Sequence, residues 1–291
     1  MANLRQIRTR IRSVQNTQKI TRAMQMVAGA KLRRAQEQLF KARPYVDRLE
    51  GLTRRFLDAT PALAHPLLNP VQGTVPEGDC PRLPLALVIA ATDTGLCGAY
   101  NERLLTMARE VIAREAPVQL VILGRKGMVA ARRWGWPVLA SHTDLGGNVT
   151  DALVQELAQT LIGAYQAGRV RGVSVLYTRF LSALSWRPTA APWLPLRGPQ
   201  AAESPTAYLT EPAPAAIAER LLPAYVTAAL RRLLLEAVTA EHSARMMAMQ
   251  AATDNAAEMI DTLTLARNKV RQASITKELS EIVAGAEALK A

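Results

Sequence analysis

The stretch Ile7–Ala35, IRTRIRSVQNTQKITRAMQMVAGAKLRRA, decides the fold. Its apolar residues recur every three or four positions, which is the period of one helix face. The pattern begins at Leu4 and runs through Ile7, Ile11 and Val14 to Ile20, Met24, Val27 and Leu32. It then continues through Ala35, Leu39, Ala42, Val46 and Leu49 to Phe56. One helix over about residues 3–57 is predicted, spanning ~80 Å at ~1.5 Å per residue. A strict heptad started at Leu4 and Ile7 would put Gln18, Thr21 and Gln25 in the seam. The apolar residues instead suggest a drift onto Ile20, Met24 and Val27, as in a nearly straight helix. Pro44 is a candidate bend.

Working outward, the far end of the chain carries a second such pattern. Between about residues 213 and 288 it includes Leu221, Leu230, Leu233, Met247, Ala251, Met259, Leu263, Val270, Ile275, Leu279 and Ile282, with no Gly before Gly285. That predicts a helix of roughly 110 Å, with Pro223 kinking its first turns or marking where its continuous part begins. Two helices this long at opposite ends of one chain pair most simply as an antiparallel coiled coil.

The middle has a different texture. Residues 58–82 are rich in Pro, Gly and Asn and read as a loop. Strands are then expected at Leu85–Ala91, Val118–Leu123, near Val138–Ala140 and at Val173–Tyr177. Helices are expected between them, at Asn101–Arg114, Arg125–Trp134 and Val149–Ala167. Such alternation predicts a parallel, doubly wound, Rossmann-like sheet. The stretch Ser182–Ser204, punctuated by Pro188, Pro192, Pro195 and Pro199, reads as a loop returning to the second long helix. The expected fold is therefore α/β. The terminal helices occupy residues 1–57 and 208–291, and a globular α/β domain occupies residues 58–207.

Composition narrows the function. The net charge is +12, and residues 1–55 hold fourteen Arg and Lys against three Asp and Glu, so nearly all the excess lies there. An acidic partner is implied, whether nucleic acid, anionic lipid or an acidic protein surface. A DNA-binding basic helix would be followed by a regular leucine zipper, and none follows. A membrane-surface helix would carry bulky apolar residues opposite its charges, whereas this stripe contains Ala28, Ala35 and Ala42. A coiled-coil nucleic-acid-binding protein remains the alternative reading. No apolar run approaches the ~18 residues of a membrane span. The first residues lack a secretory apolar core. Their arginines, without acids, could suggest a transit peptide, but the pattern runs on far past such a segment.

Catalytic motifs are sparse. Cys80 and Cys97 form no CxxC pair, and His65, His142 and His242 are scattered, so neither a metal nor a nucleophile–base arrangement is expected. The turn Thr92–Asn101, TDTGLCGAYN, follows the first strand but lacks the GxG that lets a backbone approach a pyrophosphate. Asp93-Thr94-Gly95 resembles half of an aspartic protease site, yet no second triplet is present to share a proton. Asp93 reads better as a carboxylate capping its own turn. The four tryptophans, at 134, 136, 186 and 193, read as packing or interface residues. No cofactor and no catalytic residue are expected.

Five segments together resemble the F-type ATP synthase gamma subunit family. They are Ile7–Ala35, TDTGLCGAYN, LGRKG at Leu123–Gly127, the return through Pro195–Leu196 and Tyr208–Pro214, and the long end Glu241–Leu289. The resemblance covers essentially the whole chain. It implies a non-catalytic rotor: the terminal helices form a shaft inside a ring of alpha and beta subunits, and the sheet domain sits below, against the epsilon subunit and the c-ring. One copy per complex is implied, peripheral to the cytoplasmic face of a bacterial inner membrane, with no direct membrane insertion and no nucleic acid. Arg271, Gln272 and Thr276, in RQASIT, match the polar set engaging alpha and beta. Met24 and Arg245 match positions affecting coupling, and Tyr208 and Glu211 match the foot near the c-ring. Three departures stand out: Thr94 where the family usually has Arg, Ala266-Arg267-Asn268 where an aromatic often precedes the Asn, and Gln25 in place of Glu. They are compatible with a divergent, sodium-pumping type, although ion choice would lie in the c-ring.

Overall fold

The computed structural model describes residues 4–68, 83–196 and 210–288. In chain order the elements are α1 (Leu4–Ala59), β1 (Leu85–Ala90), α2 (Tyr100–Glu115), β2 (Val118–Leu123), α3 (Arg125–Trp134) and β3 (Val138–His142). They continue with α4 (Asp151–Gln166), β4 (Gly172–Ser182), β5 (Ser185–Leu194) and α5 (Pro214–Ala288). Pro44 and Pro223 lie inside their helices without ending them. The chain forms two compact units: one holds residues up to Gly29 and from Arg245 onward, the other Ala30–Ala244.

Burial along α1 follows a strict seven-residue repeat. Ile7, Ile11, Thr21, Ala28, Leu32, Ala35, Leu39 and Val46 are buried, and Val14, Gln18 and Gln25 are half-buried at the positions between. This corrects the drift expected from the sequence, since Ile20 and Val27 are 61% and 57% exposed. A helix that keeps a repeat of 3.5 residues per turn holds one face to its partner. It does so here although the repeat puts polar side chains in the seam.

The second unit is built on a five-stranded sheet of order β3-β2-β1-β4-β5. The first four strands are parallel, and β5 runs antiparallel to β4. The chain winds outward from β1 to β3 and then returns past β1 to β4. Right-handed crossovers in opposite directions place their helices on opposite faces. Gly127 of α3 meets the sheet through Ile122, where an added Cβ would come within 2.8 Å of Cγ2. On the other face, Leu157 and Leu161 of α4 pack with Val88, Val121 and Val175, joined by Phe56 of α1 and by Leu222, Val226 and Leu230 of α5. The doubly wound reading thus describes this unit.

The stretch read as a loop after Ser182 is instead largely β5. Its prolines are tolerated because β5 is an edge strand, with one row of backbone groups free of ladder bonds. Pro192 pairs with Ser174 beside a break in register between Val173 and Ser174. The strand is held by Trp193, which is buried and donates its indole N–H to the Val226 carbonyl at 3.0 Å.

Candidate coupling surfaces

In the first unit the seam between α1 and α5 contains a polar layer. The Thr253 hydroxyl lies 2.8 Å from Thr21 Oγ1 and also 2.8 Å from the Met249 carbonyl. One turn along, the Gln25 amide donates to Gln250 Oε1. The Gln250 amide donates to both carboxylate oxygens of Asp254 at 2.9 Å. Gly29 approaches closely enough that an added Cβ would sit 3.6 Å from Met246 Sδ. These pairs fix one antiparallel register, in which each step toward the start of α1 is a step toward the end of α5.

Met24 and Arg245 both fall in this paired stretch. Met24 is half-buried beside Gln25, and Arg245 is 9% exposed beside Met246. Arg271, Gln272 and Thr276 lie elsewhere on α5. They are at least 26 residues beyond Arg245, ~39 Å along a helix rising ~1.5 Å per residue. The structure therefore separates the candidate residues of this unit into two groups rather than one site.

The second group stands on helix that no described residue covers. Burial along α5 recurs at Met249, Thr253, Ala256, Ile260, Leu263, Arg267 and Val270, then stops. By the register of the polar layer, Val270 lies at about the level of Leu4, where described α1 begins. Every residue from Arg271 to Gly285 is exposed. Ile275, Leu279 and Ile282, expected in the seam, are instead 49%, 57% and 67% exposed. Spaced four and three apart, they form one apolar stripe on the same turns as Arg271, Gln272 and Thr276. Met247, Ala251 and Met259, also expected in the seam, are exposed too. Arg267 is half-buried in the seam and bonds the neighbouring Asn268 Oδ1 at 3.2 Å, which gives the departure there a structural place.

In the second unit Glu211 is exposed just before α5, while Tyr208 lies outside the described residues. Asp93, expected to cap its own turn, instead ties two other loops to it. Its carboxylate accepts backbone N–H groups from Arg125 at 3.1 Å, Asp144 at 2.9 Å and Gly146 at 3.1 Å. The first of these is at the N-terminus of α3, where negative charge is favoured by the helix dipole. Sequence reasoning missed Glu236, which is 7% exposed on α5. It faces the Arg43 guanidinium at 3.8 Å. Burial pushes its carboxyl above the ordinary range, against the pull of Arg43, Arg232 and Arg179. Burial, and then the Glu236 charge, push the Tyr177 phenol up to about 12. Glu236 sits inside a run of apolar residues from Leu233 to Ala237, and that context is the only sequence signal it gives.

No helix among the described residues is long and apolar enough to cross a membrane. The ATP synthase family model matches residues 3–289. The ATP synthase gamma chain of Desulfitobacterium hafniense is 44% identical over 293 residues, covering 100% of both chains. That of Moorella thermoacetica is 44% identical over 291 residues, again covering 100% of both. Among solved structures, a chain of the Euglena gracilis mitochondrial ATP synthase OSCP/F1/c-ring assembly superposes with a TM-score of 0.67 at 19% identity, covering 98% of this chain and 94% of that one. A chain of the Tetrahymena thermophila mitochondrial ATP synthase central stalk and c-ring gives 0.56 at 21% identity, covering 80% and 99%. At these identities the structural likeness speaks for the fold.

Proposed function

The chain belongs to the ATP synthase gamma chain family, and we propose that it is the central-stalk shaft of a rotary F-type complex, carrying torque and no chemistry of its own. In this reading ATP is made or hydrolysed on the beta subunits. One copy of the chain turns inside the alpha–beta ring, with the epsilon subunit and the c-ring at its foot. The complex sits on the cytoplasmic face of a bacterial inner membrane, and this chain is peripheral to it.

The observation that carries the reading is the bare end of α5. An exposed apolar stripe beside three polar side chains marks a surface for a partner. A single helix is also a shape that a closed ring can enclose. One asymmetric shaft cannot touch three equivalent subunits alike, so it biases each toward a different conformation and affinity through differential contacts. Rotation exchanges those biases. Arg271, Gln272 and Thr276 make the polar contacts with alpha and beta, Met24 and Arg245 influence coupling lower on the shaft, and Tyr208 and Glu211 belong to the foot. Ion choice, sodium or proton, is made outside this chain.

The test is reconstitution with alpha and beta subunits. Arg271→Ala combined with Gln272→Ala removes hydrogen bonds to charged groups worth about 1.5–3 kcal/mol each, so coupled turnover falls about tenfold or more. Nucleotide binding by isolated beta stays unchanged. Unaltered turnover in the assembled complex would remove these residues from the mechanism.

A further inference from the structure

The β4–β5 hairpin carries an arrangement that the shaft reading does not use. β1 pairs with β4 only as far as Leu176, while the hairpin's own pairing continues to Ser182 and Ser185. Within that extension Arg179 stands directly opposite Arg187, in a regular stretch of ladder between the two breaks in register. Directly opposite side chains share a face and lie close, and like charges placed so repel. By alternation the face is that of Tyr177. There Arg179 is one of three guanidinium groups that pull on buried Glu236. Arg187 is exposed and has no charge partner among the described residues. Glu102 and Glu110 of α2 line a hollow with Pro188, which alternation turns to the other face. From Tyr177 to Thr189 the hairpin contains no Asp or Glu.

The end of the hairpin is apolar and held in place. Leu184 is 73% exposed and Leu181 53%. The Ala183 carbonyl accepts the Ser243 hydroxyl of α5 at 2.5 Å, and the Ser182 hydroxyl accepts the Leu184 N–H at 3.3 Å. Trp186, on the α2 side, meets the Tyr100 ring at 5.7 Å and lies under the Arg103 guanidinium at 5.4 Å. Leu181 falls at a break in register and Leu184 in the turn, so alternation places neither. Both are within three residues of an arginine of the pair, at most ~10 Å along a strand, so one loop capping the tip reaches all four.

We propose that the end of this hairpin is a docking site for an acidic loop of a partner protein. A carboxylate of the loop bridges Arg187 and Arg179 and offsets their repulsion through charge-assisted hydrogen bonds. An apolar side chain of the loop covers Leu181 and Leu184. The tip is already fixed by α5 and α2, so it loses little freedom on binding. A bilayer is a poorer occupant, because its hold scales with buried apolar area and even one myristoyl chain binds only marginally. A phosphate backbone would meet the arginines and leave the leucines bare. A second copy of this chain is disfavoured by its own net charge of +12. The site belongs to the sheet unit and stands or falls apart from the shaft reading.

The test places the photo-crosslinker p-benzoylphenylalanine at position 184 of the full chain, expressed in its own bacterium and irradiated in whatever complex it forms. The crosslink should fall on a protein loop rich in Asp and Glu, identified by mass spectrometry. Arg187→Glu should cut its yield about tenfold or more, while Arg187→Lys keeps most of it. Arg187→Gln should lower the yield and also raise the thermal midpoint of the purified chain by about 1–2 °C, because it ends the repulsion. An arginine that served only the fold would move the midpoint the other way. No crosslink, a crosslink to lipid or to a segment without acids, a yield indifferent to Arg187→Glu, or a lowered midpoint in Arg187→Gln each overturns the proposal. Recovery of ring subunits with the chain tests the shaft reading separately.

Discussion

Single side chains in this protein hold polar groups where apolar ones would pack, and each makes a measurable demand. Glu236 is the clearest. Because burial raises its carboxyl pKa, the folded chain binds a proton more tightly than the unfolded chain does. Its contribution is therefore most favourable below the ordinary carboxylate range and declines as pH rises through the folded value. Glu236→Gln should be increasingly stabilising relative to the native chain between pH 4 and pH 8, compared by urea unfolding at each pH. The opposite trend would mean that the pull of Arg43, Arg232 and Arg179 outweighs desolvation. The Thr21–Thr253 contact makes a different demand. Replacing Thr253 alone by Val removes one partner of the Thr21 hydroxyl, which keeps its bond to the Gln18 carbonyl at 3.0 Å, and should cost about 1 kcal/mol, whereas replacing both should be nearly neutral. A non-additive pair of this kind, measured by a double-mutant cycle, is the mark of a direct bond in the seam. Equal and additive losses would place the two hydroxyls in separate environments.

Among elements, α5 divides into a half that packs and an end that does not. Every residue from Arg271 to Gly285 is exposed, so ending the chain at Val270 should leave its thermal midpoint within about 2 °C of the full-length value. The same truncation should abolish most coupled turnover in a reconstituted complex. A large loss of stability in the isolated chain would show that the end packs after all. This element also shows what the sequence could and could not disclose. Both long helices, the four parallel strands and their three connecting helices were legible, because period and turn chemistry are local properties. The seam was not, because Ile20 and Val27 are better hydrophobes than Gln18, Thr21 and Gln25. Only the partner helix, through Thr253 and Gln250, makes the polar set the buried one. β5 was hidden by its prolines, which forbid a central strand but not an edge. Of the residues proposed for coupling, RQASIT could be matched in the sequence, but that it stands on exposed helix could not.

On the scale of the whole molecule, the excess charge is concentrated in one helix. Residues 1–55 hold nearly all of the +12, and Arg43 of that segment pairs with Glu236. Exposed charges of one sign raise the rate of encounter with an oppositely charged surface more than they tighten the final complex. They also act through a field that ~0.1 M salt confines to about 10 Å. If the basic helix steers the chain into an acidic ring, association with alpha and beta should slow at least about tenfold from 50 to 500 mM salt. Dissociation should change far less. Replacing Arg8, Arg12 and Arg22, all exposed, by Gln should flatten that salt dependence without changing turnover once the complex has formed. Stopped-flow mixing of labelled chain with the ring subunits measures both rates. A salt-independent association rate would mean that the charge serves the assembled shaft and not its capture, and the place to look for its partner would then be inside the ring.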